Sequence, residues 1–498
     1  MSDYYPKTLF HDLILDNAKS FGTREALVHN EQSINFEEIP GLVSKLVSKL
    51  VELGVQTGDD VLVCLPNSIW YPLLFLAAAK IGAVLTGISS ESTANEVKYS
   101  LEQSGAKIVF TNDSIAKNNS WVLSEVLVEI LPVDVRSYVA LIPELLQEVN
   151  TPKLDIDSIL LAPFSSGTTG EPKCCLLTHR NFLASTFALK KFLFDELLAR
   201  SNLKTLAILP FHHASGFWAL LFCLLEGCTT YIMSEFHPIA MMDLVEKYEI
   251  DTINIVPAIA NVFLKMGFLQ NRCSSLRTVL CGSSGLSKDR CKRFLSLFPQ
   301  VRNFIQGYGM TEMVVLSCVT PLDDNFEHLG SCGRLLPGFD VKLLEHDLGE
   351  TELLLRSDAI MQFYKNGTSN LDGDGWLHTG DIVTEKEGFY YVVDRMKDLI
   401  KVNGFQVSPT EIENLILQSP RVVEVAVVGI EDELCGQLPK AYIVLEKDTD
   451  ELLFRKHLEH TMREKMSAVK QLRGGVSIIR EMPKSASGKI QKKKLFYF

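Results

Sequence analysis

The sequence predicts an α/β protein in two parts. A large N-terminal domain of parallel-sheet α/β subdomains carries a small β region, and a small α+β domain follows it. Three observations lead there. The chain has 498 residues, and a single hydrophobic core stops growing at roughly 250–300 residues. Its middle alternates apolar, β-branched runs with helix-like patterns, the order that builds a parallel sheet covered by helices. Beyond residue 394 the charge balance changes sign: residues 395–498 hold 18 Lys+Arg and 14 Asp+Glu, or +4, which leaves −16 for residues 1–394.

Bulk composition narrows the function classes. With 46% hydrophobic and 22% charged residues the chain is globular and not disordered. A net charge of −12 lacks the basic footprint of a nucleic-acid-binding protein. Eleven cysteines contain no C-x-x-C spacing, so neither a zinc ribbon nor a disulfide framework is expected. Free thiols in a reducing compartment are the simplest reading. The N-terminal stretch has no signal-peptide pattern, the C-terminal KLFYF is not S-K-L, and cytosol is the expected compartment. No transmembrane segment is expected, because the greasiest run, 217–225 (FWALLFCLL), is about half a membrane span and reads as a buried helix.

Taken in order, residues 60–65 (DVLVCL) read as a strand, 68–81 as a helix and 83–87 as the next strand. Further strands fall at 205–209, 229–233, 252–256, 277–281 and 303–306, with helices near 216–226, 238–249, 258–268 and 287–298. From 338 to 393 short segments alternate with turn signals such as DGDG and KEG, the texture of a compact β region. Residues 392–403 are charged and lack a long apolar run, and the domain boundary is placed there, giving domains 1–394 and 395–498. Next, Ser408-Pro409-Thr410-Glu411 reads as a capping box opening a helix to about residue 418. A strand at 422–428 and a helix at 452–465 complete an α+β unit of independent size.

Several segments carry chemistry. The turn FSSGTTGEPK (164–173) follows a strand and packs Gly, Ser and Thr before Lys173. Its N–H groups and hydroxyls suit phosphate oxygens, although a surface loop of small residues reads the same way. It is not a Walker A loop, because Glu171-Pro172 follow Gly170. QGYGMTE (306–312) ends another strand, where parallel sheets place ligands. There Tyr308 offers a ring face, Thr311 a hydroxyl and Glu312 a hard oxygen for Mg²⁺. In WLHTGDI, Asp381 suits a pair of ribose hydroxyls, but a lone Asp in a turn is more often structural. Near the C-terminus Lys489 stands between Gly488 and Ile490, apart from the solvated run 492–494. The pair His212-His213 lacks further ligands, which rejects zinc.

Order and spacing say more than each motif alone. LPNSIWYPLLFLAAAKIGAV, SSGTTGEPKCCLLTHRN, LPFHHASGF, QGYGMTE, GSCGRLLPG, DGWLHTGDI, VVDRMKDLIKVNGFQVSPTEIE and MPKSASGKIQKKKL run over nearly the whole chain. Together they resemble the adenylate-forming superfamily of acyl- and aryl-CoA synthetases, luciferases and peptide-synthetase adenylation domains. The texture is closest to the 4-coumarate–CoA ligase and firefly luciferase branch.

That resemblance implies an acid–CoA ligase that forms an acyl-adenylate from a carboxylic acid and ATP, releases pyrophosphate, and passes the acyl group to coenzyme A. ATP, Mg²⁺ and CoA are the implied cofactors, and the implied substrates are a fatty or aryl acid. By similarity Ser165, Ser166, Gly167, Thr168, Thr169, Gly170 and Lys173 form the phosphate loop, and Gln306, Gly307 and Tyr308 face the nucleotide. Thr311 meets the α-phosphate, Glu312 and Thr168 serve the metal, and Asp381 and Arg395 take the ribose. Lys489 approaches the carboxylate and α-phosphate. His213, Ala214, Gly282, Ser283, Gly307 and Met313 line the acyl pocket. The small domain is implied to be mobile about Lys397, exchanging Lys489 for the Lys401 face in the thioester step.

Three departures stand out: Cys174-Cys175 where relatives carry Gly-Val, Asn403 in place of a lysine, and a short connection near 346–351. The LPFHHASGF block carries no acidic residue, which disfavours an amino-acid substrate. Loading of a carrier protein, luciferase-like oxygenation and a non-enzymatic binding role stay open as alternatives. The sequence does not specify an oligomeric state.

Overall fold

In the computed structural model the described residues are 4–143, 153–165, 172–201, 203–267, 272–346, 350–403, 405–484 and 490–497. The chain divides into two compact units. The first comprises Met1–Asp340 and Arg356–Gly375, and the second Val341–Leu355 and Trp376–Phe498.

The first unit is built on two sheets. One runs in the order Arg334–Leu335, Cys318–Val319, Asn303–Tyr308, Thr278–Cys281, Thr252–Ile255, Lys204–Ala207, Thr229–Ile232, Glu25–His29, Gln32–Asn35. Its six central strands, from Asn303–Tyr308 to Glu25–His29, are parallel. Antiparallel pairings close both edges. The second sheet runs Leu177–Thr178, Ile159–Leu161, Val84–Ile88, Asp60–Cys64, Ile108–Thr111, Leu127–Ile130, parallel apart from its first pair. Asp60–Cys64 and Val84–Ile88 are buried at every position, as expected of strands covered on both faces.

The crossover helices are Ala214–Leu225, Pro238–Tyr248, Pro257–Met266 and Lys288–Leu297. Two open with proline at a first-turn position, where a missing N–H costs nothing. The third stops at Met266, short of the expected 268, because Gly267 turns to φ +73°. Phe263, Phe294 and Phe298 are all buried, with ring centroids 5.5 and 4.9 Å apart around Phe298. Each such pair adds about 0.5–1.5 kcal/mol beyond area burial. Among the described residues no helix is long and apolar enough to cross a membrane.

The second unit holds residues 341–355 and 376–393 of the small β region together with the C-terminal segment. A four-stranded sheet runs Asp340–Glu345, Thr351–Arg356, Leu377–Lys386, Phe389–Arg395. Its last hairpin turns through Glu387 and Gly388, both at positive φ. The other sheet joins Phe405–Val407, Ile400–Val402, Gly436–Leu445 and Val422–Asp432, with Gly475–Ile478 parallel to Gly436–Leu445. Helices Pro409–Ile416 and Glu451–Lys465 seal its core through Ile412, Ile416, Phe454 and Leu458.

Arg395, the expected start of the small domain, lies inside this unit. Asp394 before it accepts the Ser408 hydroxyl at 2.5 Å and the Thr410 N–H at 3.0 Å, tying the hairpin to the next helix. The capping box is half made. Ser408 Oγ accepts the Glu411 N–H at 3.2 Å, while the Glu411 carboxylate turns to Lys470 at 2.6 Å.

Candidate active site

The phosphate-loop segment is anchored at both ends. Phe164–Ser165 pairs antiparallel with Lys173–Cys174, and it packs against the Thr311–Met313 turn that carries Glu312. Ser166, Gly167, Thr168, Thr169 and Gly170, like Lys489, lie outside the described residues. Lys173 extends its ammonium to 4.9 Å from the centre of the Tyr364 ring. The same tyrosine donates its hydroxyl to Glu312 Oε1 at 2.7 Å. Glu312 is only 6% exposed. Burial, then the Glu312 charge, raises the pKa of the Tyr364 phenol, which keeps it a donor.

Cys174 and Cys175, the departure from the family pattern, are both buried and free. Cys174 Sγ donates to the Ala162 carbonyl at 3.4 Å, and burial pushes its pKa to about 12. Cys175 bridges to Tyr364 through its backbone, and burial, then the Glu312 charge, holds its thiol protonated. These thiols fill the core behind the loop and are inert there.

The turn after Asn303–Tyr308 is unusually tight. Val314 sits at φ 68°, ψ −63°, and the Val315 N–H returns to the Met313 carbonyl at 2.8 Å. This is a γ-turn on a β-branched residue, a strained conformation two residues after Glu312. A Cβ on Gly309 would stand 1.8 Å from the Val315 carbonyl oxygen, so only glycine lets the turn close. The Gln306 side chain is tied into the surrounding scaffold. Its carboxamide donates to the Leu286 carbonyl at 3.2 Å and accepts the Gly330 N–H at 2.7 Å, and the residue is 6% exposed.

Among the residues expected to line an acyl pocket, His213 precedes helix Ala214–Leu225, beyond the carboxyl end of Lys204–Ala207. Gly282 and Ser283 follow Thr278–Cys281 in the same sheet, and a Cβ on Gly282 would stand 3.6 Å from the Gly307 carbonyl. Met313 is fully buried and Ala214 is 4% exposed. Close packing defines this end. A Cβ on Gly216 would meet the Pro210 carbonyl at 2.5 Å, and one on Gly87 would meet His212 Cα at 2.9 Å. Asn67 clamps the loop, donating to the Leu209 carbonyl at 3.0 Å and accepting the Phe211 N–H at 2.8 Å. Burial, then His213, holds His212 well below the usual imidazole range, so it is neutral.

The second unit has its own charged cluster. Asp381 and Arg395 are cross-strand partners, with Arg395 Nε 3.0 Å from Asp381 Oδ1. Asp381 is 3% exposed. Glu352 supports it from behind by accepting the Gly380 N–H at 3.0 Å, and also lies 3.2 Å from both His346 and His378. Burial, together with the charges of Arg395 and Lys493, lowers the Lys397 pKa despite Asp398 and Asp381. Lys401 points outward from Ile400–Val402 between two buried neighbours, and its N–H is held by Gln437 at 3.0 Å. Asn403 takes the positive φ of 51° that asparagine tolerates.

Four positioning residues carry no motif signal of their own: Asn67, Glu352, Tyr364 and Asp394. Asn67 and Asp394 sit inside the blocks LPNSIWYP and VVDRMKD, which was the available hint. The donor set fits a magnesium ion accompanying a nucleotide: one buried carboxylate, with remaining positions left to phosphate oxygens and water.

A glycine-bearing turn at the carboxyl end of a parallel strand carries a buried carboxylate, and a lysine shares that carboxylate's tyrosine partner, an arrangement suited to a nucleotide-handling α/β enzyme. Residues 14–365 match the AMP-binding enzyme family, and residues 411–489 match the AMP-binding enzyme C-terminal domain. A 4-coumarate–CoA ligase of Vanilla planifolia is 30% identical over 522 residues, covering 99% of this chain and 94% of the relative. The o-succinylbenzoate CoA synthetase of Bacillus subtilis, solved with its acyl-adenylate intermediate, superposes with a TM-score of 0.84 at 25% identity, covering 98% of each chain. The same synthetase solved with ATP and magnesium gives 0.82 at 25% identity, covering 97% of this chain and 99% of that one. The chain belongs to the AMP-binding enzyme family, whose members form adenylates.

Proposed function

We propose that the protein is an ATP-dependent acid–CoA ligase acting on a fatty or aryl carboxylic acid. The observation that carries this is the joint placement of Glu312 and Lys173 about Tyr364, beside the phosphate-loop ends. One negative and one positive group held apart suit Mg·ATP, whose cation and phosphates need opposite partners. Relatives named as CoA ligases support coenzyme A as acceptor.

In the first step the acid's carboxylate oxygen attacks the α-phosphorus of ATP, and the bond to the departing pyrophosphate breaks. The metal neutralises phosphate charge. Glu312 and Thr168 are assigned to hold it, and Lys173 with Ser165, Ser166, Gly167, Thr169 and Gly170 to hold the phosphates. Thr311 and Lys489 are assigned to the α-phosphate, where charge develops in the transition state. Asp381 accepts hydrogen bonds from the ribose hydroxyls while Arg395 orients it, and Tyr308 lies against the base. In the second step a thiolate attacks the adenylate carbonyl and AMP leaves. Residues 395–498 are assigned as the mobile part, with Lys397 as pivot and Lys401 serving this step.

His213, Ala214, Gly282, Ser283, Gly307 and Met313 form the acyl pocket in this reading. Small and apolar residues there suit an uncharged acyl group. Free cysteines throughout support a reducing, cytoplasmic setting. A panel of fatty and aromatic acids, read by pyrophosphate release with and without CoA, tests the proposal. CoA-thioester formation with at least one acid is expected. Acid-dependent pyrophosphate release that CoA fails to convert to thioester would transfer the proposal to a carrier protein, or to oxygen, as acceptor.

A further inference from the structure

We propose that Tyr364 is a positioning residue that holds the Glu312 carboxylate and the Lys173 ammonium apart, in the arrangement Mg·ATP requires. This rests on the ligase reading above, and it concerns a residue outside every recognised motif. Tyr364 is 2% exposed, so its place is set by packing.

Three of its parts do different work. The hydroxyl oxygen accepts the Asn370 amide at 2.9 Å, which directs its own proton to Glu312 Oε1 at 2.7 Å. The ring face takes Lys173 Nζ at 4.9 Å, a cation–π contact. The backbone bridges to Cys175, and on either side the Lys365 N–H reaches the Cys174 carbonyl at 2.9 Å and the Leu176 N–H reaches the Phe363 carbonyl at 3.3 Å. A fourth tie, the Met361 N–H to the Glu312 carbonyl at 2.9 Å, attaches the same segment to the metal-side turn. An ion pair between Lys365 and Asp60 anchors it to the second sheet.

Without this arrangement the buried carboxylate and the nearby ammonium would attract and neutralise each other, since opposite charges in a low-dielectric site bind strongly. Among the described residues Lys173 and Glu312 form no ion pair. The hydroxyl satisfies one Glu312 oxygen with a neutral donor, and the ring satisfies the lysine without an anion. Each charge stays available for its own half of Mg·ATP. The enzyme is then preorganised, and little reorganisation accompanies nucleotide binding.

The test uses the full-length protein and Tyr364→Phe, which deletes the hydroxyl and keeps the ring. Mn²⁺·ATP binding, followed by the electron-spin signal of free Mn²⁺, should weaken about tenfold, as for loss of a hydrogen bond to a charged group. The Mg²⁺ concentration for half-maximal pyrophosphate release should rise by a similar factor, with the acid KM within about twofold. Asn370→Ala, which frees the hydroxyl to turn away, should move both readouts the same way by a smaller factor, and it stands in if Tyr364→Phe fails to fold. Unchanged Mn²⁺·ATP binding in a folded variant overturns the inference, as does an equal shift for metal, ATP and acid. If wild type activates no acid yet the variants still bind Mn²⁺·ATP more weakly, the ligase reading falls and the role of Tyr364 stands.

Discussion

Arg395 Nε lies 3.0 Å from Asp381 Oδ1, across a hairpin whose register places the two residues opposite each other. The arginine fixes a buried carboxylate in one rotamer. Glu352 fixes its backbone through the Gly380 N–H. An acceptor held in this way can take two neighbouring hydroxyls without reordering.

The proposed ligase assigns ribose recognition to that pair. Asp381→Asn should raise the ATP KM about tenfold or more, because an acceptor pair becomes part donor. Wild type should reject 2′,3′-dideoxy-ATP relative to ATP, and the variant should lose that preference. Equal discrimination by both proteins would remove Asp381 from the ribose site.

The small domain's assignment gives a paired test. Lys489→Ala should abolish adenylate formation while still converting a supplied acyl-adenylate to thioester. Lys401→Ala should show the reverse bias. Each half-reaction is read separately by single-turnover quench, and equal loss of both in both variants would contradict the exchange of faces.

Acid should destabilise the fold early. His11 and His179 are buried with ring centroids 5.2 Å apart, and Phe10 donates its N–H to His179 Nδ1 at 3.1 Å. Burial lowers their pKa values from the ordinary 6.5 to about 4 and about 3, so both are neutral in the folded protein. The unfolded chain binds more protons below pH 6.5, so stability is full above that value and is lost as pH falls toward 4. The slope is about 1 kcal/mol per pH unit per histidine. Thermal melts at pH 7 and pH 5 should differ by several degrees, and a flat Tm would contradict this account.

Helix entry after His213 depends on Gly216. Gly216→Ala places a methyl 2.5 Å from the Pro210 carbonyl and should cost about 1–3 kcal/mol while displacing His213. Gly373→Ala, with nothing within 4 Å, is the control. Urea midpoints should separate the two, and equal midpoints would show that the helix shifts freely.

The parallel sheet was legible because its strands are short runs rich in β-branched and apolar residues and its helices keep a 3.6-residue period, as in Thr278–Cys281 and Lys288–Leu297. One crossover helix starts two residues early, at Ala214 instead of 216, because it has no capping side chain to mark its entry. Tyr364 was not legible. Its partner Glu312 lies 52 residues away, and no local pattern reports a contact of that range. The side-chain partners of Gln306 were hidden as well. That glutamine stands beside a recognised turn, yet its carboxamide is buried against Leu286 and Gly330.

Adenylate formation is the central claim, and acid-dependent exchange of labelled pyrophosphate into ATP tests it most directly. Reversal of the first step should return label to ATP only when a fatty or aryl acid is present, without any need for CoA. Absence of exchange with every acid, or exchange that proceeds equally without acid, would contradict it.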